Sequence, residues 1–213
     1  MHTTNALVLS EVNSYYNQQA TGELTAKTLG LKMHIAKGWL NTAKKIESPN
    51  ADLRPDENDI SLLVIHNISL PPEQFGGPYI EQLFSNSLNP EEHPYFRDIY
   101  KLEVSSHLLI DREGNITQFV PFNKRAWHAG VSEFQGRQRC NDFSIGIELE
   151  GADHIPFSDI QYSVLAAVTQ QILSQYPLIS QDNIVGHNDI APGRKTDPGE
   201  AFDWDRYRLL LKG

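Results

Sequence analysis

The sequence predicts an α/β (α+β) fold: one domain built on a central mixed β-sheet flanked by helices. Three observations point there. Short apolar runs of strand length alternate along the chain with segments of helical period. Two of those runs flank Asp111-Arg112-Glu113-Gly114, a turn sequence that makes an antiparallel hairpin. Finally, 213 residues with 39% hydrophobic side chains are enough to bury one sizeable core, within the usual range for a single domain.

The elements follow in chain order. Residues 1–32 are polar and short on periodic hydrophobics, and Met33 opens a segment that reads as a start of its own. The division expected is therefore an N-terminal appendage over 1–32, a real extension or the product of a misplaced start codon, followed by a folded domain over 33–213. Within the appendage, 23–31 has the composition of a short helix broken at Gly30. Ile60 and the run Leu62 to Ile65 are too continuous for a half-exposed strand, so they predict a central strand, ended by His66.

Pro71 to Pro78, with Gly76 and Gly77, reads as a loop, and a short helix follows over Tyr79 to Phe84. Ser105 to Ile110 and Asn115 to Val120 are the hairpin strands, and Ser144 to Leu149 is a further strand. The clearest helix spans Asp159 to Gln175. Ser158 caps its first turn, Gln161 completes a capping box, Pro177 marks the exit, and Ile160, Val164, Val168 and Ile172 share one face. A buried strand over Asn183 to Gly186 then delivers His187. A Pro/Gly loop leads from there to a closing helix over Trp204 to Leu211.

Composition removes several functional classes. Eighteen Lys and Arg against twenty-seven Asp and Glu leave a net charge of -9, the wrong sign for a nucleic-acid or anionic-membrane binder. No stretch approaches the roughly 20 apolar residues of a membrane helix. The apolar run Ala6 to Leu9 is too short for a secretory signal and lacks preceding basic residues. Cys140 is the only cysteine, so no disulfide forms within the chain, which suits a reducing cytosol. A cytoplasmic protein is expected.

Chemistry concentrates where predicted strands end. His66, His107, His128 and His187 lie in or at the ends of strands and loops leaving a sheet, and Asp197 follows His187 across a loop that Pro192 and Gly193 turn back. A catalytic zinc site uses three protein ligands from imidazole and carboxylate and keeps a fourth position open, so a His, His, Asp set is chemically apt. Spacing alone leaves this open, because a histidine ending a buried strand is more often a hydrogen-bonded core residue. Glu148 and Glu150 alternate with Ile147 and Leu149 and so share a face, and the pattern does not choose between them. Lys195 alone would be a solvated loop cation.

Several long motifs narrow this reading: His66 to Pro71, Phe75 to Pro78, Lys124-Arg125-Ala126-Trp127-His128-Ala129-Gly130-Val131-Ser132, Cys140 to Gly151, and His187 to Gly199. Together, and in this order, they resemble the AmpD family, the cytoplasmic 1,6-anhydro-N-acetylmuramyl-L-alanine amidases, from about Gly38 to Leu210. Residues 1–32 match nothing known there. The resemblance implies a peptidoglycan-recognition/amidase-like fold and hydrolysis of the amide joining the lactyl group of (1,6-anhydro-)N-acetylmuramic acid to L-alanine, during cell-wall recycling.

Carried over by position, the family pattern makes His66, His187 and Asp197 the ligands of one Zn2+ per chain. It makes Glu148 the general base and Lys195 the cation that steadies the tetrahedral intermediate. It places Asn67, Trp127, His128 and Arg139 against the substrate, with Arg137 as an alternative to Arg139, and leaves His107 a structural role. The implied partner is a small muropeptide bound by a monomer. Two other functions fit the same motifs: a muropeptide-binding sensor without catalysis, and a lytic amidase acting on intact peptidoglycan. Clearance of such muropeptides in relatives also implies a link to β-lactamase induction.

Overall fold

The structure is a computed structural model describing residues 33–212; the expected appendage 1–32, with its short helix, lies outside the described residues. Four short strands open the described chain: β1 (Ile35–Ala36), β2 (Trp39–Leu40), β3 (Lys44–Lys45) and β4 (Ala51–Leu53). Then come β5 (Leu62–Ile68), α1 (Tyr79–Phe84), α2 (Phe96–Ile99), β6 (Leu108–Ile110), β7 (Ile116–Gln118), β8 (Lys124–Ala126), β9 (Glu133–Phe134), β10 (Arg137–Gln138) and β11 (Ser144–Glu150). The last elements are α3 (Asp159–Gln175), β12 (Ile184–Gly186), α4 (His187–Ile190) and α5 (Trp204–Leu211).

Six strands form the main sheet in the order β12-β5-β11-β6-β7-β3. The mixed character expected from the hairpin is present: β12, β5, β11 and β6 run parallel, and β6 pairs antiparallel with β7. Each strand read from an apolar run appears, as does each helix read within 33–212. Differences lie at the ends and in the small elements. β5 runs through His66 to Ile68, because β11 pairs with it as far as Glu150↔Ile68. β12 sits at the sheet edge with Val185 only half-buried, so it is less enclosed than a buried strand. β1 to β4 are two or three residues long, β1 and β2 pairing with each other as a local hairpin and β3 and β4 with distant strands, and they are too short to show a period in the sequence.

Alternation along β5 and β11 divides their residues between the two faces. Leu63, Ile65, Ile145, Ile147 and Leu149 point into the largest hydrophobic cluster, where Val168 and Ile172 of α3 and Tyr207 of α5 cover them. Ser158 accepts from Gln161 N while Gln161 accepts from Ser158 N, so the α3 capping box is complete, a feature worth about 1 kcal/mol. On the opposite face Leu62 and Val64 pack with Ala129, Cys140, Phe143 and Ile190. His66 and Glu148 belong by alternation to this second face, away from α3. Among the described residues no helix is long and apolar enough to cross a membrane.

Candidate active site

The site forms where the sheet's second face meets the loops leaving β5 and β12. His66 is the fifth residue of β5, and β12 ends at Gly186, so that His187 opens α4. Asp197 returns to them because Asn188 N–H donates to the Asp197 carbonyl at 3.0 Å, closing the loop between. Pro198 then packs so close to Gly186 that a Cβ there would lie 2.7 Å from Pro198 Cδ. At Gly199 φ is +83°, and a Cβ would fall 2.1 Å from Asp153 Cα. Glycine is required at that position on both counts.

These constraints bring three ligand atoms together. His66 Nδ1 is 3.0 Å from His187 Nδ1 and 3.0 Å from Asp197 Oδ2, and His187 Nδ1 is 3.0 Å from the same oxygen. Edges of a tetrahedron with bonds of about 2.0 to 2.1 Å are about 3.3 Å, so two imidazole nitrogens and one carboxylate oxygen fit a zinc-sized ion with little movement. Among the described residues these three form the group of His, Cys, Asp and Glu side chains able to hold a metal. Burial pulls the His66 imidazole down to about 4, which keeps the ring in the neutral form a ligand needs. Burial pushes the Asp197 carboxyl up, but hydrogen bonds from His187 and His66 outweigh it and hold the group below the ordinary carboxylate range.

Glu148 and Glu150, equivalent in the sequence pattern, separate here. Both are buried on the same face. Glu150 is occupied: its two oxygens accept from the backbone N–H groups of Gly76 and Arg112, tying down the loop before α1. Glu148 lines the same cavity, of about 370 Å³, as His66, His187, Lys195 and Asp197, and its Oε2 is buried without a hydrogen-bond partner. Burial, and then the charge of Asp197, push its pKa well up, with Lys195 pulling the other way. A raised carboxylate with a free oxygen beside a metal-ligand cluster is equipped to take and return protons.

The remaining candidates fall around this cavity with different degrees of freedom. Trp127 is half-buried in the wall, and its indole N–H reaches Asp52. That is a groove position, with the ring outside the three hydrophobic clusters. Asn67 also lines the cavity, but its Nδ2 donates to Asp153 Oδ1 at 2.7 Å and to Pro198 O at 3.0 Å, leaving its Oδ1 to meet a ligand. His128 lines it with Nδ1 2.9 Å from His66 Nε2 and Nε2 3.1 Å from Ser144 Oγ, so both ring nitrogens already have partners. Arg139 lies outside this cavity. It borders a neighbouring groove with Val131, Ile190 and Arg194, is 73% exposed, and sits 3.4 Å from Asp142. Arg137 is the more occupied of the two, stacked on Phe143 and paired with Asp59.

His107 is buried and hydrogen-bonded within the fold, in keeping with the structural role the family resemblance implies. Its Nδ1 accepts from Gly146 N–H at 3.0 Å, and the Lys124 carbonyl lies 3.1 Å from Nε2. Arg54 carries no functional mark in the sequence. Its buried guanidinium donates to the carbonyls of Phe122, Asn141, Asp142 and Ser144, joining the two segments that frame His128. No local signal marks such a residue, since all four acceptors are more than sixty positions away.

Comparison with known proteins bears directly on this arrangement. Residues 56–200 match the N-acetylmuramoyl-L-alanine amidase family. A 1,6-anhydro-N-acetylmuramyl-L-alanine amidase AmpD of Haemophilus influenzae is 60% identical over 178 residues, 84% of this chain and 97% of that one. The chain belongs to the AmpD branch of this amidase family. A crystal structure of a selenomethionine derivative of AmpD superposes with a TM-score of 0.82 at 57% identity, covering 84% of this chain and 99% of that one. The more distant Escherichia coli amidase AmiD, solved as a complex with anhydro-N-acetylmuramic acid-L-Ala-D-γ-Glu-L-Lys, superposes at TM-score 0.52 with 27% identity, over 84% of this chain and 65% of that one. The family match spans every member of the candidate site, and the fold of this AmpD-type amidase is that of its relatives.

Proposed function

We propose that this AmpD-type amidase is a zinc enzyme that hydrolyses the amide between the lactyl group of 1,6-anhydro-N-acetylmuramic acid and L-alanine in free muropeptides, in cytoplasmic cell-wall recycling. One observation carries the reading: three ligand atoms mutually 3.0 Å apart share a cavity with a buried carboxylate that has an unpaired oxygen. His66, His187 and Asp197 would hold one Zn2+ per chain. When bound, zinc supplies a Lewis acid that acidifies water and polarises the scissile carbonyl.

The chain's own groups do the rest. Glu148 takes a proton from the attacking water and delivers it to the alanine nitrogen as the C–N bond breaks, and its raised pKa suits both transfers. Lys195, two positions before Asp197 and in the same cavity, sets its charge against the developing oxyanion. Trp127 offers a ring edge or face to the sugar, Asn67 Oδ1 accepts a substrate N–H, and Arg139 binds a peptide carboxylate at the rim of the adjoining groove. His128 closes the cavity wall.

The folded unit is the amidase domain, 33–213, acting as a monomer, with 1–32 appended. Incubation with anhydro-muramyl tripeptide is expected to release free tripeptide, to stop with a strong chelator and to resume with added zinc. Release that persists after zinc is stripped sinks the metal mechanism. Tight binding without cleavage in the zinc-loaded protein favours a sensor, and faster turbidity loss of intact walls than turnover of the soluble fragment favours a lytic amidase.

A further inference from the structure

The even-numbered residues of β11 form a graded row beneath the site. Ser144, Gly146 and Glu148 follow one another on the sheet's second face, in register with Leu62, Val64 and His66 of β5. Glu148 reaches the cavity, Gly146 is bare, and Ser144 carries a hydroxyl. The His128 ring occupies the space over Gly146: a Cβ there would lie 2.6 Å from His128 Cγ and Nδ1. His128 is held by backbone as well, since Asn141 Oδ1 accepts both its N–H, at 3.1 Å, and that of Ala129, at 2.8 Å.

The protons on this row follow from the ligand assignment, on which the inference rests. His66 presents Nδ1 to His187 and Asp197, so as a ligand that nitrogen is bare and the ring proton is on Nε2. His66 Nε2–H then donates to His128 Nδ1 at 2.9 Å, which leaves His128 its proton on Nε2, donating to Ser144 Oγ at 3.1 Å. A ligand histidine whose outer nitrogen is engaged is fixed in both tautomer and ring orientation. His187 has the simpler arrangement, its Nε2 facing the Ala129 carbonyl at 3.2 Å.

We propose that His128 is the positioning residue of the metal site: with Ser144 behind it and Gly146 beneath it, it accepts the His66 Nε2–H and so keeps Nδ1 of His66 bare and aimed at the ion. This differs from a substrate contact, because neither ring nitrogen of His128 remains for a substrate. It also explains the lack of a side chain at Gly146, in the middle of a buried strand.

Substitutions that move the acceptor test this. Asparagine places its amide oxygen near the position of Nδ1, glutamine near that of Nε2, and phenylalanine keeps the ring with neither. Zinc affinity, measured by competition with a chromophoric chelator, is expected to stay within about threefold of wild type in His128→Asn and to fall about 10- to 100-fold in His128→Gln and His128→Phe. A purely packing role gives the reverse ranking, with phenylalanine best, and overturns the proposal. Long-range 1H–15N spectra of the zinc-loaded wild type provide a reading that needs no variant: His66 and His128 are both expected as Nε2–H tautomers, and an Nδ1–H tautomer at His128 overturns the relay. Failure of the wild type to bind zinc at all instead defeats the metal-site reading itself.

Discussion

Glu148 and His66 are register partners on adjacent parallel strands, directly opposite each other although 82 positions apart in the chain. Because side chains alternate with a period of two, a one-residue slip between β11 and β5 would send one of them into the core under α3. The same pairing that buries Ile145, Ile147 and Leu149 therefore sets the Glu148 carboxyl, the proposed proton-transfer group, beside the candidate ligand cluster.

Glu148→Gln tests that placement. The amide keeps the shape and removes the base, so kcat is expected to fall about 10²- to 10⁴-fold. Zinc content by elemental analysis stays at the wild-type value. Loss of metal along with activity would show that Glu148 helps hold the ion.

Asp197→Ala separates the other role. Removal of Asp197 Oδ2 leaves two imidazoles, so zinc affinity and activity are expected to fall together and excess zinc to restore only part of the rate. Equilibrium dialysis against buffered zinc gives the affinity. An unchanged affinity removes Asp197 from the ligand set.

Gly199→Ala strikes the loop behind Asp197. With φ at +83° and a Cβ 2.1 Å from Asp153 Cα, the methyl group is both strained and obstructed. A loss of about 1 to 3 kcal/mol in denaturant unfolding is expected, with weaker zinc binding as Asp197 shifts. Wild-type stability in this variant would mean that the Asp153 segment yields freely.

His107 gives the protein a pH-dependent stability. Burial, then the Arg54 charge, hold its pKa well below that of the unfolded chain, about 6.5. Below that pH the unfolded state binds a proton that the folded state refuses, so stability declines as pH falls from about 6.5 toward the depressed folded value, by up to about one proton in slope. Urea unfolding across this range should show a shallower decline in His107→Gln. Equal slopes in the two proteins would mean that His107 takes up its proton without unfolding.

Much of this was written locally in the chain. The continuous apolar run before His66 declares a strand covered on both faces, and Ser158, Gln161 and Pro177 bound α3 at the residues observed. Those signals are short-range, arising from alternation, capping chemistry and proline's missing N–H. The candidate ligands were legible as residue types in motifs, and the family match covers the same segments.

Tertiary structure alone decided what depends on contacts between distant segments. Glu148 and Glu150 are equivalent by alternation, yet the backbone of Gly76 and Arg112 occupies one and leaves the other with an unpaired oxygen. His128 sits in a motif with no mark of its hydrogen bond to His66, 62 positions away, and Arg54 gives no sign of the four carbonyls it gathers. A strand or a cap is dictated by neighbours within a few residues. The partner of a buried polar atom is chosen by whichever segment folding brings against it, and that choice appears only when the chain is closed.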